Sequence, residues 1–471
     1  MDGLECSEIN RSELERTLRI DAEFYSKIAI KVSDMLQSRS HDLLTTFVNV
    51  SDGNHMGISD CFIDEGVPYY RGQDAGAFFI ENSTPICINE KTFELPVMKR
   101  SHLKKGDVIL SIVGTIGSLS LVYSDKSATC SCKLAILRPK EGKSAELLAT
   151  FLRGKYGQAQ ITRFTRGAVQ KGLILEDMDQ LVVPTFGDGI VEAIKNAVQS
   201  AYQIQEKANI HYREAQRTLM NSVGSILVPA ESVSVRNIST SFYTTGRLDA
   251  EYYQPKYDIL FDELKKFSCK RLGGPNGIVN IKKSIEPGSE AYTEDGIPFV
   301  RVSDISKFGI SEPDIKLRSD IIPNPEVLFP PKDTILLSKD GSVGIAYKVE
   351  ATMPIITSGA LLHLKVRDKT EVLPDYLTLV LNSPVVQLQA ERDSNGAIIR
   401  HWKPSEIENV IIPILDMDTQ KEIAAKVQEA FTLRKQSKQL LEYAKQAVEM
   451  AIEQGEDVAL AWLKDKIPVE V

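Results

Sequence analysis

The chain has 471 residues, 42% of them apolar and 25% charged, an ordinary globular balance that excludes a disordered, collagen-like or mucin-like protein. At roughly 150 residues per domain the length predicts about three units. Against 64 Asp and Glu stand 56 Lys and Arg, a formal charge of −8, so contact with nucleic acid must come from local basic patches rather than bulk charge.

The opening stretch MDGLECSEINRSELERTLRI lacks the basic-then-apolar pattern of a signal peptide, and no run approaches the roughly 18 apolar residues that span a bilayer. A cytoplasmic protein without a membrane segment is expected. Six cysteines (Cys6, Cys61, Cys87, Cys130, Cys132, Cys269) are too sparse for a disulfide framework, and Cys130-x-Cys132 has no second ligand pair. They read as reduced thiols, not as a metal site.

In chain order, a helix is predicted from Asp21 to about Gln37, with Phe24, Ile28 and Val32 on its apolar face. Short strands follow, among them the runs 107–113 and 133–138. After Pro184 and the cap Asp188, apolar positions recur at alternating steps of four and three: Ile190, Ile194, Ala197, Ala201, Ile204, Ala208, His211, Ala215. A helix over 189–223, stopped by Gly224, would be about 52 Å long at 1.5 Å per residue. The pattern then restarts. A helix from Asp249 to about Phe267 precedes strands in 333–338 and 360–366. After Pro413 and the capping box Thr419-x-x-Glu422, a second stripe runs Ile423, Val427, Ala430, Arg434, Ser437, Leu441, Ala444, Val448, Ala451, and Gly455 ends it.

The restart is a duplication. Arg19-Ile-Asp-Ala-Glu-Phe-Tyr25 returns as Arg247-Leu-Asp-Ala-Glu-Tyr-Tyr253, a shift of 247 − 19 = 228 residues. Gly66-Val-Pro-Tyr-Tyr-Arg71-x-x-Asp74 returns as Gly296-Ile-Pro-Phe-Val-Arg301-x-x-Asp304. Lys-Gly-Asp107-Val-Ile-Leu-Ser with Gly114-x-x-Gly117 returns as Pro-Lys-Asp333-Thr-Ile-Leu-Leu-Ser with Gly341-x-x-Gly344. Gly167-Ala168 with Leu181-Val-Val-Pro184 returns as Gly396-Ala397 with Val410-Ile-Ile-Pro413. Five landmarks in one order at a nearly constant offset define a repeated unit of about 229 residues.

Two readings exist for the closing helices: each lies on its own globular copy, or the two pack on each other as an antiparallel spacer. The narrow, long, alanine-rich stripes favour the second. His211, Arg434 and Ser437 are its weak seam positions.

No catalytic pattern appears. The Gly-x-x-Gly segments lack the lysine and spacing of a phosphate loop; neither His-Glu-x-x-His nor Gly-x-Ser-x-Gly is present; and the histidines His41, His55, His102, His211, His363 and His401 have no ligand spacing. Asp107 and Asp333, placed alike ahead of matching strands, read as turn formers. What does need a partner is the uneven charge. Residues 98–105 and 151–171 hold four and five Lys or Arg respectively and no acid, interleaved with Gln and aromatic residues that suit base edges and phosphates. The second copy has a diluted counterpart around Arg392, Arg400 and Lys403.

This ordered, duplicated set of motifs resembles the specificity (S) subunits of type I restriction-modification systems, over about Arg19 to Gly455. The resemblance implies an α+β fold with two β-rich target-recognition domains separated by two long antiparallel coiled-coil helices. It places the first recognition domain at 1–186, a spacer helix at 187–224, the second domain at 225–415, a second spacer helix at 416–455 and a tail at 456–471. It further implies double-stranded DNA as ligand, two methyltransferase (M) subunits and restriction (R) subunits as partners, S-adenosylmethionine on the M subunits, and no cofactor or catalysis in this chain. A standalone DNA-binding phage-defence adaptor is the alternative from the same domains, and a nuclease with an unrecognised site is the enzymatic one.

Candidate DNA contacts are Arg71, Gln73, Lys99, Arg100, Arg163, Arg166 and Lys171 in the first copy, and Arg301, Ser303, Lys339, Arg400, His401 and Lys403 in the second. Arginine and glutamine suit base edges, lysine phosphate. For Arg71 and Arg301 the carboxylates of Asp74 and Asp304, three residues on, offer an internal pairing instead, and that structural reading is favoured.

Overall fold

The computed structural model describes residues 6–14, 18–80, 85–167, 171–224, 233–396 and 399–467. Ala168 and Ala397 of the repeated Gly-Ala pair, and the last four residues of the tail, lie outside them. The chain divides into two compact units, one of residues 1–206 and 434–471, the other of residues 207–433.

In the first unit the strands in chain order are β1 (His41–Leu43), β2 (Val48–Asp52), β3 (Phe62–Ile63), β4 (Val67–Tyr70), β5 (Cys87–Ile88), β6 (Val108–Ser111), β7 (Leu119–Leu121), β8 (Thr129–Cys130), β9 (Leu134–Pro139) and β10 (Val182–Pro184). They form an antiparallel sheet in the order β2-β9-β6-β7, a second sheet β3-β5-β4-β8 in which β4 and β8 run parallel, and the ribbon β1-β10. In the second unit they are β11 (Cys269–Arg271), β12 (Val279–Lys283), β13 (Tyr292–Thr293), β14 (Ile297–Val300), β15 (Ile305–Ser306), β16 (Gly309–Ile310), β17 (Lys316–Leu317), β18 (Ile335–Ser338), β19 (Ala346–Lys348), β20 (Ile356–Thr357), β21 (Leu361–Val366) and β22 (Ile411–Pro413). The sheets are β12-β21-β18-β19, β13-β17-β14-β20 with β14 and β20 parallel, and the ribbon β11-β22. Strand for strand this is the same topology; the hairpin β15-β16 is present only in the second unit among the described residues.

The strands read as continuous apolar runs because both faces of the larger sheet are covered. Val108, Leu110, Ala135 and Leu137 face a core shared with the helices, while the alternate residues Ile109, Leu134 and Ile136 pack with Tyr70 and Cys130 of the second sheet. The second unit repeats the division, Ile335 and Leu337 on one side and Leu336 and Leu361 on the other.

The opening helices are shorter than the periodicity predicts. They run Lys27–Gln37 and Pro255–Leu264, because the Ser26 hydroxyl caps the first and Pro255 occupies the first turn of the second. The long helices run Asp188–Val223 and Met417–Gln454. Within the first unit Ile190, Ile194, Ala197 and Ala201 of one pack with Ala444, Val448 and Ala451 of the other. Within the second, Ala215 and Leu219 pack with Ile423, Val427 and Ala430. In each unit the halves are antiparallel, and alanine permits their close approach. Ser437 belongs in the seam because its buried hydroxyl donates to the Ala201 carbonyl at 2.7 Å. The stripe shifts by one residue at His211: Tyr212 takes the buried position, edge-on to Phe308 at 5.0 Å. The tail forms a further helix, Glu456–Lys466, whose Trp462 meets Tyr443 edge-on at 5.8 Å.

The repeat register needs one correction. The Gly106 N–H donates to Val122 O at 2.8 Å and the Asp333 N–H to Val349 O at 2.8 Å; both residues have positive φ, +89° and +66°. Asp333 is therefore the counterpart of Gly106, and Thr334 that of Asp107. Aspartate tolerates the left-handed conformation better than most side chains, so the turn survives the exchange. Asp107 also forms its turn, accepting the Lys104 N–H at 2.7 Å, and is buried against an Arg138 fork at 2.7 and 2.6 Å.

Candidate nucleic-acid interface

The C-terminal ends of β2, β4, β6 and β8 meet at one end of the first unit. Asn54 N–H donates to Cys130 O at 2.8 Å, Ser131 N–H to Tyr70 O at 2.9 Å, and Ile112 N–H to Lys133 O at 3.0 Å. The Thr115 hydroxyl reaches Gly72 O at 3.0 Å. A fourth loop joins through paired bonds between Arg166 and Gly172 at 2.8 and 2.7 Å, its exit held by Leu173 N–H to Ile112 O at 2.9 Å. The second unit builds the same end: Ser358 N–H to Val300 O at 2.9 Å, Lys339 N–H to Ala360 O at 2.9 Å, Asn395 and His401 paired at 3.0 and 2.6 Å, and Trp402 N–H to Lys339 O at 2.8 Å.

The Gly-x-x-Gly turn forms part of this end in each unit. Gly117 and Gly344 have φ near +87° and +88°. Behind them Gln158 Nε2 donates to Gly117 O at 3.0 Å and Gln387 Nε2 to Gly344 O at 2.8 Å. A Cβ on Gly117 would lie 2.7 Å from the Gln158 amide oxygen. Gly117→Ala is expected to cost about 1–2 kcal/mol from the left-handed backbone and to displace that clamp. Gly344→Ala should act alike in its own unit, and a denaturant midpoint unchanged from wild type would refute the assignment.

The thirteen sequence-derived candidates occupy different environments. Arg71 and Arg301 open matched turns: the Asp74 and Asp304 carboxylates each accept the arginine N–H at 2.8 Å and lie 3.7 and 3.8 Å from its guanidinium. Gln73 and Ser303 project from those turns and are exposed. Arg100 reaches the strand ends through an ion pair with Asp52, which also holds His55 at 2.5 Å, and Lys99 beside it is exposed. Lys171 is exposed at 3.4 Å from Glu23. Arg163 donates to Phe24 O at 3.1 Å and lies over the Phe24 ring, and Arg166 is engaged by Asp177 at 2.7 Å. Lys339 is largely buried in a pair with Asp340, which also accepts from exposed His401 at 2.8 Å. Arg400 is exposed on the loop, and Lys403 stands 3.7 Å from Glu406. Lys133 and Lys283, not among the candidates, are exposed at the same strand ends; the only sequence signal for them is adjacency to strand termini, which many lysines share.

Charge-assisted pairing thus divides the set. Arg163, Arg166 and Lys339 direct their charge inward, whereas Gln73, Lys99, Arg100, Lys171, Arg400, His401 and Lys403 keep exposed donors; the exposed Ser303 gives its hydroxyl proton to the Asp304 carboxylate at 3.0 Å. Among the described residues no group of His, Cys, Asp and Glu comes together as around a metal ion, and no helix is long and apolar enough to cross a membrane.

The chain thus holds two copies of one β-rich unit, each packed with its own part of the two long helices. Residues 265–443, most of the second copy and part of its closing helix, match the family described as the Type I restriction modification DNA specificity domain. Solved structures similar to the chain include the S subunit of a type I restriction-modification system from M. genitalium, at 14% identity over 90% of this chain and 95% of that one with a TM-score of 0.35. Another is the HsdS subunit from Thermoanaerobacter tengcongensis, at 15% identity over 92% and 97% with a TM-score of 0.27. A comparison with curated proteins finds no match.

Proposed function

We propose that the whole chain is a specificity subunit that reads a split DNA site, one half with each unit. The reading rests on one observation: the first unit repeats, sheet by sheet, the unit in which most of the match to the DNA specificity domain falls. The readers are residues 1–186 and 225–415; the helices within 187–224 and 416–455 separate them, and 456–471 is an accessory tail. Of the thirteen candidates, those with exposed donors on the strand-end faces contact DNA, arginine and glutamine toward base edges and lysine toward phosphates. Arg71, Arg163, Arg166, Arg301 and Lys339 shape the surface on which they stand.

The chemistry belongs to partners. Two methyltransferase subunits carrying S-adenosylmethionine dock on this chain in the cytoplasm, and restriction subunits join them for cleavage. This chain supplies selectivity: each wrong base pair in a protein-DNA interface costs about 1–3 kcal/mol, which accumulates over a half-site. The test is a map of adenine methylation in the host with and without this gene. Loss of one split, asymmetric motif is expected; an unchanged map would refute the proposal.

A further inference from the structure

The repeated Arg-x-Asp-Ala-Glu-aromatic-Tyr segment supplies none of the candidate contacts, yet its side-chain contacts recur in both units almost bond for bond. Arg19 forks onto Asp21 through Nε at 2.8 Å and Nη2 at 2.9 Å, and Nη2 also donates to Thr165 O at 3.3 Å. Its guanidinium lies 4.5 Å from the centre of the Phe24 ring, and that of Arg163 4.3 Å from the same ring. Arg247 forks onto Asp249 at 2.9 and 2.5 Å and donates through Nη1 to Asp393 O at 3.2 Å. Tyr252 lies between Arg247 at 4.3 Å and Arg392 at 5.1 Å. An aromatic ring flanked by two guanidiniums therefore recurs at the same place in each copy.

The accepting carbonyls give the arrangement its meaning. Thr165 and Asp393 are the roots of the loops closed by the Arg166–Gly172 and Asn395–His401 pairs, the loops that complete the candidate DNA-facing ends. Each loop begins with a glycine at positive φ, Gly167 at +114° and Gly396 at +126°. Its exit is pinned to the sheet, by Leu173 in one unit and Trp402 in the other. Its entry is pinned by the arginine.

We propose that Arg19 and Arg247 are positioning residues for sequence reading, each fixing the entry of its own unit's reading loop. The proposal rests on the specificity-subunit reading above. The two side chains are only 8% and 18% exposed, so they act through the loop rather than on DNA. The Arg247 hydrogen bond holds the Asp249 carboxyl below its ordinary range. Lysine retains the charge but has no planar fork with which to serve the carboxylate, the carbonyl and the ring together.

The test uses the full-length chain in its host, with methylation mapped for Arg19→Lys and Arg247→Lys. Arg19→Lys is expected to lower discrimination about tenfold at the positions of one half-site, the scale of a lost stacked and hydrogen-bonded guanidinium, and to leave the other half-site as sharp as in wild type. Arg247→Lys should do the reverse. A purely stabilising role would weaken both halves together, since one unfolded unit abolishes the bipartite contact. Phe24→Leu and Tyr252→Leu, which remove the ring and spare the carboxylate fork, should give the same half-site pattern and serve if a lysine variant fails to accumulate. A wild-type split mark that none of these variants changes, or changes in both halves alike, overturns the positioning role alone. A wild-type chain that directs no split mark overturns the specificity-subunit reading as well.

Discussion

Exchanging residues 225–415 for the corresponding segment of another specificity subunit is expected to replace one half of the methylated motif and leave the other half untouched. The second unit carries its own core: the residues packed around Val279, Ile335, Leu364 and Trp402 all lie within 207–433. Its recognition loops arise from strand ends of that same unit, so a swap transfers the reading surface together with the scaffold that positions it. At about 1–3 kcal/mol for each wrong base pair, a half-site of a few positions should lose methylation by several orders of magnitude. Motif mapping by methylation-sensitive sequencing checks this. Alteration of both halves, or of neither, would refute independent reading by the two units.

Lengthening both long helices by one turn is expected to change the spacing between the half-sites instead of their sequences. Four residues inserted after Glu206 and four before Arg434 add about 6 Å and rotate the downstream part of each helix by roughly 40°. On DNA, with one base pair per about 3.4 Å, this corresponds to a shift of one to two base pairs in the preferred gap. Adding residues to both helices keeps the facing stripes paired, whereas insertion into one alone would force one set of facing residues out of register. Methylation of sites built with graded gaps is the measurement, and a gap preference identical to wild type would remove the spacer role.

Much of the architecture was legible in the order of residues alone. The long helices were visible because a stripe repeating every three or four residues over about seven to eight turns has no other regular explanation. The duplication was visible because its landmarks sit where chemistry leaves little choice, at turn aspartates, left-handed glycines and a proline ahead of each long helix. The two-residue strands β3, β5, β13 and β17 were not legible, because a pair of residues shows no period. Nor was the register at Asp333, where aspartate occupies a left-handed position that glycine fills in the first copy.

The candidate contacts show the same boundary. Basic residues stand out in a sequence, but their availability depends on carboxylates remote along the chain. Arg100 meets Asp52 from 48 residues away, and Lys171 meets Glu23 from 148. The sequence by itself determined that there are two copies of one unit, closed by long helices and without a catalytic pattern, since local periodicity and repeated turn residues carry that information. Only the tertiary structure decided which charges face outward and that four strand ends and a distant loop form one surface, because hydrogen bonds and ion pairs between remote segments are set by the packing of the sheets.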